Sequence, residues 1–341
     1  MTTKRIGFAC KWLNADGSTD PDLNVRATTV AWLNRQTRDV AVERLWDIVR
    51  HNISSTRKLI EKVGTYGPEL RMVRIGSDIL PMYTQPDWQW FYRQADVQSY
   101  VATHFADVGR VARALDVRLS FHPGQFCVLA SDNDNIVERS IEEFEYHVDM
   151  ARWMGYGATW HDHGFKINVH LSGRGGPAKF LQTLGRMTPE ARNLITIEND
   201  EMSNGLDVTL DVADSVALVL DIHHHWINSG EYINPVEDRV KRVIDSWRGM
   251  RPVLHYSVSR EDYLVGHTIG VQPNLDQLLS ESYKKQKLRA HSDFYWNTAV
   301  NDWASGFVDE FDIMCESKAK NLASHKFHAH CYRSEEHTSE L

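Results

Sequence analysis

The chain has 341 residues, 42% hydrophobic and 25% charged, with 20 Gly, 10 Pro, 4 Cys and a formal net charge of −8. This composition excludes collagen-like, low-complexity and disordered chains, and the negative charge excludes a protein that grips nucleic acid by bulk positive charge. Cys10, Cys127, Cys315 and Cys331 are dispersed without a CxxC pair, so neither a disulfide framework nor a zinc finger is indicated. No apolar stretch reaches the roughly 20 residues of a spanning helix, and the apolar segment at the start is too short for a signal peptide. A cytoplasmic protein with no membrane association is the expectation.

In chain order, short apolar or β-branched runs alternate with longer stretches of helical period. The runs are RIGFAC (5–10), LRMVRIG (70–76), VRLSFH (117–122), FKINVH (165–170), LITIEN (194–199), VALVLD (216–221), PVLHYS (252–257) and KLRAHS (287–292). Between them, Val97, Val101, Phe105, Val108, Ala112 and Leu115 step by three and four, as do Val137, Ile141, Phe144, Val148 and Ala151; each set predicts a helix with one buried stripe. Eight strand–helix units predict a single-domain (β/α)8 TIM barrel over 1–332, with a doubly wound open sheet as the alternative. Three connections, 11–40, 77–96 and 258–286, are long. All follow strand C-termini, the face on which a barrel builds its active site. The final RSEEHTSEL (333–341) brings no core residues and resembles read-through of a sequencing adapter; it is expected to be a non-native tail.

Metal-ligand residue types recur at the ends of these runs. His122, His170, Glu198 and Asp221 close the third to sixth, His255 lies in the seventh, and His291 falls in the eighth. In a parallel barrel these ends share one rim. A lone His or Asp there is more often a loop residue or a helix cap, but that explanation has to be repeated six times. Mixed His and carboxylate donors suit Zn, Mn or Fe better than Mg or Ca, and so many donors predict two or three divalent ions. His224 follows Asp221 at a spacing that lets both reach the pocket, whereas His223 and His225 are either further donors or parts of a solvated turn. Glu316, in DEFDIMCESKAKNLA with Lys320 at i+4, is a donor at a strand-to-helix junction or half of a surface ion pair. The loop QPDWQWFYR (85–93) is either a stacking platform for opened DNA or a packed lid. Lys284, Lys285, Lys287 and Arg289 are either phosphate contacts or a solvated helix face.

The motifs IGFAC, RIGSDILP, SFHPGQF (120–126), NVHLSG, IENDE, LDIHHH, LHYS, HSD and ESKAKNLA together resemble the UV damage endonucleases, relatives of endonuclease IV. The resemblance spans roughly 4–325. It implies a TIM barrel that binds several metals, typically manganese with Zn, Mg or Co as substitutes, and nicks damaged double-stranded DNA 5′ to UV photoproducts and other distorting lesions. The products would be a 3′-hydroxyl and a 5′-phosphate, and no obligate protein partner is implied. The family's metal ligands fall on His122, His170, Glu198, Asp221, His224, His255, His291 and Glu316, with Glu198 bridging two ions and Glu198, Glu316 and Asp221 nearest the chemistry. Gln125 and Phe126 resemble the wedge that probes distorted DNA, and Phe8 stands where another aromatic probe is expected. Three positions depart from the family. Val253 stands where relatives carry a carboxylated, metal-ligating Lys; Trp12 replaces a probing Asn, with Asn14 nearby; Gln85 stands where relatives often have His. Two other readings stay open: a barrel that binds damage with reduced turnover, and a sugar-isomerase-like metal enzyme.

Overall fold

The computed structural model describes residues 3–338. Eight parallel strands close into a barrel in sequence order: β1 (Ile6–Cys10), β2 (Met72–Ile75), β3 (Arg118–Phe121), β4 (Lys166–His170), β5 (Ile195–Glu198), β6 (Ala217–Asp221), β7 (Val253–Tyr256) and β8 (Asp312–Cys315). The barrel replaces the open-sheet alternative, since β1 pairs with β8 as well as with β2. Both predicted helices form. Ala95–Ala114 buries Val97, Val101, Phe105, Val108 and Ala112, and Asp134–Trp153 buries Val137, Phe144, Val148 and Ala151. These two helices pack so closely that a Cβ built on Gly109 would lie 1.9 Å from the Met154 carbonyl oxygen.

Seven strands lie where the sequence places them; the eighth does not. KLRAHS alternates charged residues with apolar ones, and Lys285–Leu288 forms one short helical turn that buries Leu288. His291 touches extended backbone only through an isolated antiparallel bridge to Ser259. The eighth strand is instead DIMC, buried at all four positions and paired with both β7 and β1. The excursion after β7 therefore runs from 257 to 311, longer than the expected 258–286.

Strand alternation sorts the barrel interior into levels. At the lower end, Asp312 accepts from Arg118 Nη1 (2.7 Å), Arg251 Nε (2.8 Å) and the Arg5 backbone N–H (2.8 Å), so a buried charge is fully partnered. Above it, Ala9, Met72, Ala217, Val219, Val253 and Met314 pack as an apolar plug. Two residues on from these, the strands end in His255, Asp221 and Glu316. The same parity on β4 gives Lys166, Asn168 and His170, and on β5 Thr196 and Glu198; Thr196 Oγ1 donates to Asn168 Oδ1 at 2.8 Å. Register puts His170 opposite Glu198 and Asp221 opposite His255.

Packing decides one of the open readings and narrows another. In the 85–93 loop, Trp88, Phe91 and Tyr92 are buried, Trp88 Nε1 donates to Asn34 Oδ1 at 2.9 Å and Arg38 lies 4.1 Å over Trp90; it is a packed lid. In the basic run, Lys285 Nζ donates to the Asn228 carbonyl and Arg289 Nη1 to Glu201 Oε1, at 2.9 and 2.8 Å. Those two cations serve internal contacts. The helix Lys320–Thr338 runs through the first six residues of the suspected tail, whose last three residues lie outside the described part.

Candidate metal centre

At the C-terminal rim, Glu198 is fully buried and ringed by imidazoles. Its carboxylate oxygens lie 3.4 Å from His122 Nε2, 3.8 Å from His170 Nε2, 3.3 Å from His224 Nδ1 and 3.2 Å from His255 Nδ1. His255 Nδ1 is also 3.3 Å from Glu316 Oε1, and His224 Nδ1 is 3.7 Å from Asp221 Oδ2. Donors bound to one ion at about 2.1 Å sit roughly 3.0–3.4 Å apart at octahedral or tetrahedral angles, the spacing of the His122–Glu198, His255–Glu198 and His255–Glu316 contacts. Four sets of donor atoms lie within 4.8 Å of one another: His122, His170 and Glu198; His170, Glu201 and His224; Glu198, Asp221 and His224; Asp221, His255 and Glu316.

The polar bookkeeping also fits bound cations. Glu198 Oε1, Asp221 Oδ2, Glu201 Oε2 and His255 Nδ1 are buried without a hydrogen-bond partner, although buried polar atoms are otherwise nearly always paired. Burial pushes the Asp221 carboxyl well above its ordinary range; His224 pulls against it, and Glu198 and Glu316 add to the upward push. Burial acts upward on Glu198 too, but the surrounding His255, His170, His122 and His224 rings hold it well below the usual carboxylate range. Crowded carboxylates that force a proton onto one member are a donor set lacking positive charge, which divalent ions would supply.

Neighbouring groups orient these donors. Asn168 donates to Glu198 Oε2, and Arg74 ion-pairs with Glu316. Asp221 caps the helix Ile222–Ser229, Oδ1 accepting the His224 N–H at 2.7 Å while Oδ2 faces the other donors. The His122 Nδ1 sits 2.9 Å from the Pro123 carbonyl oxygen, which accepts only. Nδ1 therefore carries the hydrogen and Nε2 is left to ligate.

The other candidates are distributed as follows. His291 belongs to none of the four donor sets among the described residues; it approaches the cluster from the β7–β8 excursion and not from a strand end. His223 is held by Ser257 (2.8 Å) and Ser259 (3.2 Å), and His225 by Glu231 (3.0 Å), so both are structural. Phe126 is 85% exposed, on the loop that brings His122 and Gln125 to one side of a cavity of about 160 Å³ whose other wall includes His170 and Glu201. Phe8 is corrected: it is 2% exposed and packs edge-to-face on Trp12 in the core, because its side of β1 faces the helical layer. Trp12 is buried against Tyr66 and Gln85 is exposed on the lid.

Val253 belongs to the apolar plug, yet a lysine does reach the centre from another strand. Lys166 of β4 is fully buried with Nζ 3.2 Å from His255 Nε2, and burial brings its amine down to about 7 against the opposing pull of Glu198. Sequence reading missed Lys166, Arg74 and Glu201. Parity was the available signal for Lys166, two residues before Asn168 and four before His170 on one inward face. Glu201, three residues after Glu198, lies beyond its strand, where parity says nothing.

Residues 4–336 match the family described as UV-endonuclease UvdE. The UV DNA damage endonuclease of Bacillus velezensis is 25% identical over 308 residues, covering 87% of this chain and 86% of its own. That of Bacillus thuringiensis is 24% identical, covering 90% and 88%. Among solved structures, SacUVDE superimposes with a TM-score of 0.71 at 21% identity over 99% of both chains. Endonuclease IV from Thermus thermophilus gives 0.52 at 12%, over 82% and 94%. The two structures share the barrel, and the match across nearly the whole sequence decides membership: the chain belongs to the UV-endonuclease UvdE family and is an endonuclease.

Proposed function

We propose that this protein is a metal-dependent DNA repair endonuclease that nicks duplex DNA on the 5′ side of UV photoproducts and other distorting lesions. The observation that carries it is the meeting of His122, His170, Glu198, Asp221, His224, His255 and Glu316 around unpartnered buried donor atoms at one rim. Two or three divalent ions, with manganese as first choice, would be held there, and Glu198, which shares one donor set with His122 and His170 and another with Asp221 and His224, would be the bridging carboxylate. When bound, such ions lower the pKa of water and neutralise charge on both the attacking and leaving oxygens.

The chain's own residues hold and orient. Water attacks phosphorus, the P–O3′ bond breaks, the departing 3′-oxygen takes up a proton, and a 5′-phosphate remains. Glu198, Asp221 and Glu316 set the charge at the reacting phosphate, and Arg74 fixes Glu316. Phe126 and Gln125, exposed beside the cavity, suit insertion into a lesion that has already lost part of its stacking, since flipping a damaged base costs less than flipping an intact one. His291 is retained as an approaching donor from the excursion; Phe8 is not retained as a probe. The working unit is the barrel over 1–332, acting on DNA in the cytoplasm.

The test is incision of a UV-irradiated, end-labelled duplex with Mn²⁺, followed by mapping of the termini. A 3′-hydroxyl immediately 5′ to the lesion supports the reading. Binding to damaged duplex without cutting under any divalent ion would leave a damage-binding barrel, and ketose–aldose conversion without DNA affinity would leave a sugar isomerase.

A further inference from the structure

Glu201 has no place in the motif-derived ligand set, yet it faces that set. Its Oε1 is pinned by Arg289 Nη1 at 2.8 Å, and its Oε2 is buried without a partner, 3.8 Å from His224 Nε2. That separation is too long for a hydrogen bond and close to the spacing of two donors on one ion. The orientation of His224 points the same way. Its Nδ1 lies 3.1 Å from the Asn199 carbonyl oxygen; a carbonyl only accepts, so Nδ1 carries the hydrogen and the lone pair sits on Nε2, on the Glu201 side. His170 offers a ring nitrogen within 4.8 Å of both, and within the same distance of the inner pair His122 and Glu198.

We infer that Glu201, His224 and His170 form an outer divalent-cation position through which the ions of the inner centre enter and leave. The inference rests on the metal-dependent reading above. The outer position borders the open cavity, which Glu201, its partner Arg289 and His170 line and which Glu198, Asp221 and His255 do not reach. A neutral imidazole has one lone pair, so His170 serves the outer or the inner ion at a given moment. An ion therefore passes inward by keeping His170 while exchanging Glu201 and His224 for Glu198 and His122. Arg289 holds Glu201 in place from the β7–β8 excursion, and so keeps the second oxygen aimed.

The test is exchange of radiolabelled Mn²⁺ from the full-length holoenzyme against excess unlabelled Mn²⁺, in wild type, Glu201→Gln and Glu201→Asp. A passage role requires that Glu201→Gln slow uptake and release together by about tenfold, leave the final metal content unchanged, and be partly rescued by Glu201→Asp. If Glu201→Gln releases metal faster and holds less of it, Glu201 merely adds attraction and the inference is overturned. Unchanged exchange rates overturn it too. A wild-type protein that binds no divalent ion would sink the metal-dependent reading itself, an outcome distinct from both.

Discussion

Replacing Glu198 by Gln removes one charge and almost no volume, and its effect can be worked from the geometry. Glu198 is shared by two donor sets, so both ions lose a negative ligand at once. Loss of groups that merely support a ligand costs 10–100-fold in affinity; loss of the ligand itself belongs at the upper end, about 100-fold or 2.8 kcal/mol per ion. At a free Mn²⁺ concentration equal to the wild-type dissociation constant, each position falls from half occupancy to about 1%, and doubly loaded enzyme falls by ~10³-fold. Single-turnover incision of irradiated duplex should drop by that factor and recover when Mn²⁺ is raised 100-fold. Affinity for the lesion should not change, because Glu198 is sealed beneath the rim. Wild-type incision by Glu198→Gln at limiting metal, with wild-type metal content, would refute the bridging assignment.

Phe126→Ala should weaken binding to irradiated duplex by about 5–150-fold, from the 1–3 kcal/mol of a base–aromatic stack, leaving undamaged-duplex affinity and Tm unchanged; equal losses on both duplexes in a gel-shift titration would count against the wedge. His161, whose Nδ1 donates to the Phe165 carbonyl, is brought by burial down to about 3. Its folded pKa is depressed, so its contribution is present above the unfolded value near 6.5 and is lost as pH falls, about 2 kcal/mol by pH 5. His161→Asn keeps a donor and tolerates the left-handed backbone (φ 45°), and urea titrations should show the fall in stability between pH 7 and pH 5 shrinking by that amount; an unchanged slope would contradict it. Gly109→Ala should cost about 2 kcal/mol, since a Cβ there collides with backbone rather than with a movable side chain; an unaltered Tm would show that the two helices can part freely.

The barrel was legible because seven strands are apolar runs bounded by helices of clear period, and their ends spelled out His122, His170, Glu198, Asp221 and His255. KLRAHS imitated a strand by ending in a histidine, whereas DIMC, only four residues long and opening on an acid, concealed one. Asp312 in fact completes the arginine network at the barrel floor. Phe8 illustrates the limit of motif reading: position in a strand was clear, but the side of the sheet it faces depends on register. Lys166 and Glu201 were hidden for opposite reasons, one inside an apparently apolar run and the other in a loop whose course only the folded chain defines.

Asp221 divides its two oxygens between separate duties, one tying down the first turn of a buried helix and the other turned to the centre. Architecture and chemistry thus draw on a single side chain, and most replacements would forfeit both together, the cap alone being worth about 1 kcal/mol. Asparagine is the exception: it can keep the turn closed while withdrawing the anion. A barrel bearing it would stand intact and idle, which makes this position a natural place for such a scaffold to lose its trade without losing its shape.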